Sequence, residues 1–180
     1  METATTPTQA GIKAGVIVGL ITTVLTFLVY FINYELMVSA WYGFGTLAIY
    51  VGLIIYFGIQ YRREIGGFMT FGTAFQYAFI ALVVMLVIST FGSILLFAVL
   101  DSGLGQRLAE LTMENTLRMM DSFGAGELPS DQMDEMRKGF EEAYTVPGML
   151  KGAGFMLIFY AILALILGAI IKKKDKSLDY

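Results

Sequence analysis

The chain has 180 residues, of which 57% are hydrophobic and 15% charged, with a net charge of −3; a soluble chain carries roughly a quarter of its residues charged. A domain of this size leaves roughly a third of its surface in water, so its long uncharged stretches cannot be hidden in a soluble core and lipid is the better solvent. With neither cysteine nor histidine, it is excluded from disulfides, zinc thiolates, iron–sulfur clusters, thiol nucleophiles, histidine bases and histidine-held haem.

Thr6-Pro7-Thr8-Gln9 reads as a helix start, with a threonine cap, a proline at the first helical position and a glutamine as capping-box partner. Residues 10–32 follow as a first span, apolar apart from Lys13 and a few threonines, and long enough for a hydrocarbon core of about 30 Å. Val38-Ser39-Ala40 resembles a signal-peptide cleavage site. The apolar run is longer than the roughly 7–15 residues of a signal core and no basic cluster precedes it, so the segment is expected to be retained.

A second span covers about 40–60, with Trp41 and Tyr42 at one end and Tyr61 at the other, where aromatic belts are expected. Arg62-Arg63-Glu64-Ile65-Gly66-Gly67 then forms a tight basic turn. Thr73 and Gln76 match a second capping box opening the third span, 74–100, which is long enough to tilt or to extend beyond the lipid.

Residues 101–147 are of another kind, with ten acidic and four basic residues and no run able to span. Two helices are expected. Leu104, Leu108 and Leu111 mark one stripe with Met113, Leu117 and Met120 beside it, and Gly124-Ala125-Gly126 ends that helix. Leu128-Pro129-Ser130 leads into the second, where Met133, Met136, Phe140 and Tyr144 form a stripe. Glu114–Arg118 and Asp134–Lys138 are spaced as i,i+4 ion pairs. Such stripes ordinarily serve packing, here of a helical hairpin resting on the spans or on the lipid interface, with a partner-binding surface as the alternative. Pro147 opens the last span, 149–171, which Lys172-Lys173-Lys174-Asp175-Lys176 stops.

The fold expected is an all-α membrane protein: one membrane domain over 1–180, built as a four-transmembrane-helix bundle with an acidic helical extramembrane insert at 101–147. Basic residues near span ends favour the cytoplasm. Arg62, Arg63, Lys172, Lys173, Lys174, Lys13 and Lys176 share one side, whereas of the five basic residues on the other side, all but Lys151 are diluted in a long loop. Both termini are therefore expected on the cytoplasmic side, with the insert on the opposite side.

Gly11, Gly15 and Gly19 lie four apart on one face of the first span; Gly148 and Gly152 repeat that spacing, as do Ala164 and Gly168. Small residues so spaced let helix backbones approach closely. Two uses are open, packing within one molecule and a dimer seam. Away from the span ends no Asp, Glu, Lys or Arg lies in the hydrocarbon zone, where ion pathways and proton relays normally place such groups. Ser89, Thr90 and Ser93 are expected to bond to their own backbone. An intramembrane serine hydrolase needs a base beside its serine, and there is no histidine while the lysines sit at the rims; Asp131-Gln132-Met133-Asp134-Glu135 lacks calcium-loop spacing, and no phosphate loop occurs. No catalytic residue, cofactor or metal is expected, and an acidic exterior argues against nucleic acid.

Gly11-Ile12-Lys13-Ala14-Gly15, the run from Gly66 to Phe75 before the third span, Tyr144 with Pro147 before the fourth, and the lysines from Lys172 to Lys174 together resemble the bacterial membrane family catalogued as domain of unknown function 4199, typical of the Bacteroidota. The resemblance covers nearly the whole chain. It implies a four-span inner-membrane protein and supplies no catalytic residues. The function expected is a non-enzymatic interaction, assembly or accessory role, with membrane lipid and a homodimer mate or another membrane protein as partners. The alternative is a small oligomeric carrier or channel for an ion or small solute.

Overall fold

The computed structural model describes residues 5–124 and 129–174. Its helices, in chain order, are α1 (Pro7–Asn33), α2 (Ala40–Glu64), α3 (Phe71–Ile94), α4 (Leu104–Ser122), α5 (Ser130–Ala143) and α6 (Val146–Ile171). Among the described residues four helical stretches are long and apolar enough to cross a membrane: Pro7–Val38, Ala40–Glu64, Phe71–Leu100 and Val146–Ile171. The chain is an all-helical membrane protein. Its outer faces agree with lipid as solvent, since Trp41, Phe31 and Phe155 are each largely exposed, a burden that water would penalise as aggregation.

The ends follow local chemistry. At α1 the expected capping box forms: the Gln9 N–H donates to the Thr6 hydroxyl at 3.2 Å, and the Thr6 N–H to the Gln9 amide oxygen at 3.0 Å. The second box is corrected. The third span starts earlier, with Thr70 as the cap accepting from the Thr73 N–H at 3.2 Å, because the Phe71–Thr73 turn is already helical. Gln76 instead reaches across to donate to the Thr8 hydroxyl at 3.2 Å. Between α2 and α3, Gly66 and Gly67 take φ of +100° and +86°, a region closed to most side chains. The 33–39 link closes into a 3-10 turn, Tyr34–Val38, and α3 runs on through a π-helical turn, Leu95–Leu100. In the last span Thr145 is the cap and Pro147 sits inside the first turn. The expected positions 125, 126 and 128 in the α4–α5 connection, and Asp175 and Lys176 in the tail, lie outside the described residues.

The spans alternate in direction, so α1 and α3 run parallel, as do α2 and α6. The closest pairs are α1 with α3 and α3 with α6. Gly11, Gly15 and Gly19 face α3, where an added Cβ would stand 2.8 Å from the Tyr77 carbonyl oxygen, 2.6 Å from that of Ala81 and 2.9 Å from Ile88 Cβ. Ala164 is fully buried, and Gly168 lies against the Phe75 backbone. Helix α2 buries only Ile54, Gly58 and Tyr61. It is held through long side chains: Tyr77 donates to the Ile54 carbonyl at 3.0 Å, Tyr61 to the Thr5 carbonyl at 3.1 Å, and the Thr26 and Tyr42 hydroxyls pair at 2.8 Å. One hydrophobic cluster therefore fills the half of the bundle nearer the termini.

At that same end the α2–α3 turn meets the last residues of α6. Met69 and Lys173 exchange two backbone hydrogen bonds of 2.9 Å, and Arg62 donates to the Ile171 carbonyl at 2.6 Å, satisfying a helix-end acceptor. The Lys172 and Lys173 ammonium groups lie 5.7 and 5.6 Å over the Phe71 and Phe68 rings. Arg63 and Lys174 are exposed.

Candidate functional site at the α4–α5 end

A second, smaller core forms where α4 and α5 meet the opposite ends of the spans. Leu96, Leu104 and Leu108 are buried there, with Phe27, Tyr30, Tyr34, Met37 and Phe97 packed against them. The α4 stripe thus faces the spans over its first three turns. Along α5, Met133, Met136 and Phe140 are half-buried, and nothing on that helix is fully enclosed.

The join depends on the π-helical turn. One extra residue in that turn shifts the chain's exit from α3 and delivers Asp101 beside α1. There the Tyr30 hydroxyl donates to Asp101 at 3.0 Å, the Gly103 N–H donates at 3.2 Å, and the Arg107 guanidinium forms an ion pair with the same carboxylate. Arg107 also lies 5.1 Å over the Tyr34 ring. Desolvation pushes the Asp101 carboxyl up. The Tyr30 hydroxyl, the Arg107 guanidinium and the Gly103 N–H outweigh it and hold the group below the usual carboxylate range. Asp101 is thus an ionised clasp between α1, α3 and α4.

Tyr144, just past α5, stacks on Phe97 with ring centroids 5.5 Å apart. Gly105 makes room for it, since a Cβ there would come within 3.1 Å of Tyr144 Cβ. Beside this stack opens a cavity of about 540 Å³ whose lining includes Ser102, Gln106, Lys138, Glu141 and Thr145. A groove of about 510 Å³ separates α4 from the α1–α2 link, with Met37, Ser39, Asn115 and Met119 on its walls. At the far end of α4, Met119 and Phe123 stand open to solvent. Among the described residues no three carboxylates converge as a metal site would require.

A family model described as "Protein of unknown function (DUF4199)" matches residues 13–173. The chain belongs to that family. No curated protein and no solved structure matches it.

Of the packing residues read from this DUF4199 chain's sequence, Gly148 meets the Glu142 carbonyl so closely that a Cβ would overlap it, while nothing lies within 4 Å of where a Cβ on Gly152 would stand. The Glu114–Arg118 pair forms at 2.6 Å. Asp134 and Lys138 form no ion pair, and Lys138 lines the cavity. Spacing rules missed Gly58, against Tyr77 and Ile171, and Gly92, against Thr23. Each is a lone small residue with no partner at i+4 on its own helix. Asp101 and Arg107 were visible as charges, but only the π-helical turn brings them to Tyr30.

Proposed function

We propose that the chain is a non-enzymatic interaction, assembly or accessory protein of a bacterial inner membrane, with both termini cytoplasmic and the 101–147 insert periplasmic. One observation carries the reading. The charges at the root of the hairpin are spent on anchoring it to the spans, while its tip offers Met119 and Phe123 to solvent, 56% and 83% exposed. A fixed root with an apolar tip suits recognition of another membrane protein or a second copy of this chain, since aromatic and methionine side chains anchor interfaces. The orientation rests on Arg62, Arg63, Lys172, Lys173 and Lys174, which gather at one end of the spans.

Photo-crosslinkers placed at Phe123 and Met119 in native membranes are expected to trap one defined adduct, lost on Phe123→Ser. A chain that stays solitary at every position would end this reading. Because the protein has no cysteine, Ser122→Cys and Lys174→Cys report sidedness cleanly. Impermeant reagent is expected to label the first alone in intact cells.

A carrier is the second reading, favoured by the Thr23 hydroxyl, which is buried without a hydrogen-bond partner. Neighbouring Thr22 and Thr26 instead donate to backbone carbonyls of α1. Absence of flux for ions and small solutes in liposomes would remove it.

A further inference from the structure

We infer that the crevice between α1 and α2 at the terminal end is a binding site for a phospholipid with a phosphoethanolamine headgroup. The crevice is preformed, with a volume of about 370 Å³. Helix α1 is drawn onto α3 by its glycines, while α2 is held at the distance set by two tyrosines. Tyr61 stacks on Tyr77 with centroids 5.8 Å apart, and both rings are buried. The gap left on the lipid side of that wedge has apolar and charged parts in a definite order.

Deepest are Ile17 on α1 and Phe57 on α2. Lys13 comes next on α1, six residues and so about 9 Å inside the helix start at Pro7, and Gln9 and Gln60 flank it. Glu64, the last residue of α2, stands nearest the water. Lys13 and Glu64 line one cavity from facing walls, yet among the described residues neither forms an ion pair with the other or with any other charge. A lysine this far inside a span either lifts its ammonium toward the headgroups or meets an anion there.

A phosphatidylethanolamine molecule has the matching order along the bilayer normal: acyl chains, phosphate, then ammonium. Its chains would follow Ile17 and Phe57, and Ile21 and Leu53 continue those two faces one turn further in. Its phosphate would accept from the Lys13 ammonium and from the Gln9 amide, whose oxygen is already engaged by the Thr6 N–H and whose two N–H groups donate to none of the described residues. Its ammonium would donate to Glu64. A phosphatidylglycerol places no cation against Glu64, and the choline headgroup has no N–H to donate, so both satisfy only the phosphate half. The apolar floor and its depth in the span select a lipid over the free headgroup.

The test uses the full chain in mild detergent, exchanged with equimolar phosphatidylethanolamine, phosphatidylglycerol and phosphatidylcholine and read by native mass spectrometry. Phosphatidylethanolamine is expected to be retained about fivefold over each of the others, a difference of about 1 kcal/mol. Glu64→Gln is expected to abolish the preference over phosphatidylglycerol by lowering phosphatidylethanolamine retention about fivefold, to the level of phosphatidylglycerol, whose own retention is unchanged. Lys13→Gln should lower retention of both by about fivefold. Both side chains are exposed, so the melting curves of the variants should match that of the parent. Equal retention of the three lipids, or a preference that neither substitution alters, would overturn the assignment. Displacement of the lipid by millimolar glycerophosphoethanolamine would overturn it as well, by showing that the chains contribute nothing. The outcome is independent of any protein partner at the hairpin.

Discussion

Replacing Gly15 by alanine is the sharpest test of how the bundle is held. The new Cβ would stand 2.6 Å from the Ala81 carbonyl oxygen and 2.7 Å from Val84 Cβ, roughly 1 Å inside the 3.5–4.0 Å optimum for such contacts. Neither neighbour is a flexible side-chain end: one is backbone and the other a β-branched carbon, so α1 itself must move. Retreat of about 1 Å opens the adjoining contacts at Gly11 and Gly19, and a gap of that size forfeits up to half of each dispersion well. Overpacking of this kind costs about 1–3 kcal/mol, offset by up to about 1 kcal/mol from the better helix former. With the full offset the net expectation for Gly15→Ala is a loss of about 0–2 kcal/mol. Gly52 is the control, since nothing lies within 4 Å of where its Cβ would be. Gly52→Ala is expected to be neutral or to stabilise by about 0.5–1 kcal/mol. Reversible unfolding of the full chain in mixed micelles, followed by circular dichroism, measures both. Were Gly15→Ala as stable as Gly52→Ala, close glycine contact would not be what joins α1 to α3.

The remaining predictions concern the hairpin join and the interior. Because the folded Asp101 carboxyl titrates below its unfolded value, its contribution is fully present above about pH 4 and is lost as pH falls through the lowered folded value. Hydrogen-exchange protection of α4 is therefore expected to hold from pH 7 to about 4 and to fall below that, whereas Asp101→Asn lowers protection throughout. Gly105→Val is expected to displace Tyr144 from Phe97 and release α5, seen as faster proteolysis of the hairpin, while Gly139→Ala, in open space, leaves it unchanged. Tyr77→Phe removes the bond to the Ile54 carbonyl, which keeps its helical partner. Interhelical hydrogen bonds in lipid average about 0.6 kcal/mol, and a loss much above 2 kcal/mol in the same unfolding assay would contradict that accounting.

Local order was legible from the chain alone. Four apolar runs, the Thr6–Gln9 box and the glycine turn at Gly66-Gly67 depend on neighbours a few residues away, and lipid leaves a long apolar run no option but a helix whose backbone groups bond internally. The third span's start was misread because Thr70 and Thr73 offer the same hydroxyl cap, and only the backbone conformation separates them. The glycines show where such reading stops. Spacing marks a face as able to approach another helix, but Gly15 and Gly152 carry the same signature while one meets a carbonyl and the other meets nothing.

Which face found a partner, that Asp101 met Tyr30 and Arg107, and that Lys13 and Glu64 share a crevice without pairing were decided by tertiary packing. Those outcomes depend on the distance between helices, and that distance is set jointly by every contact along their length. No single segment encodes it.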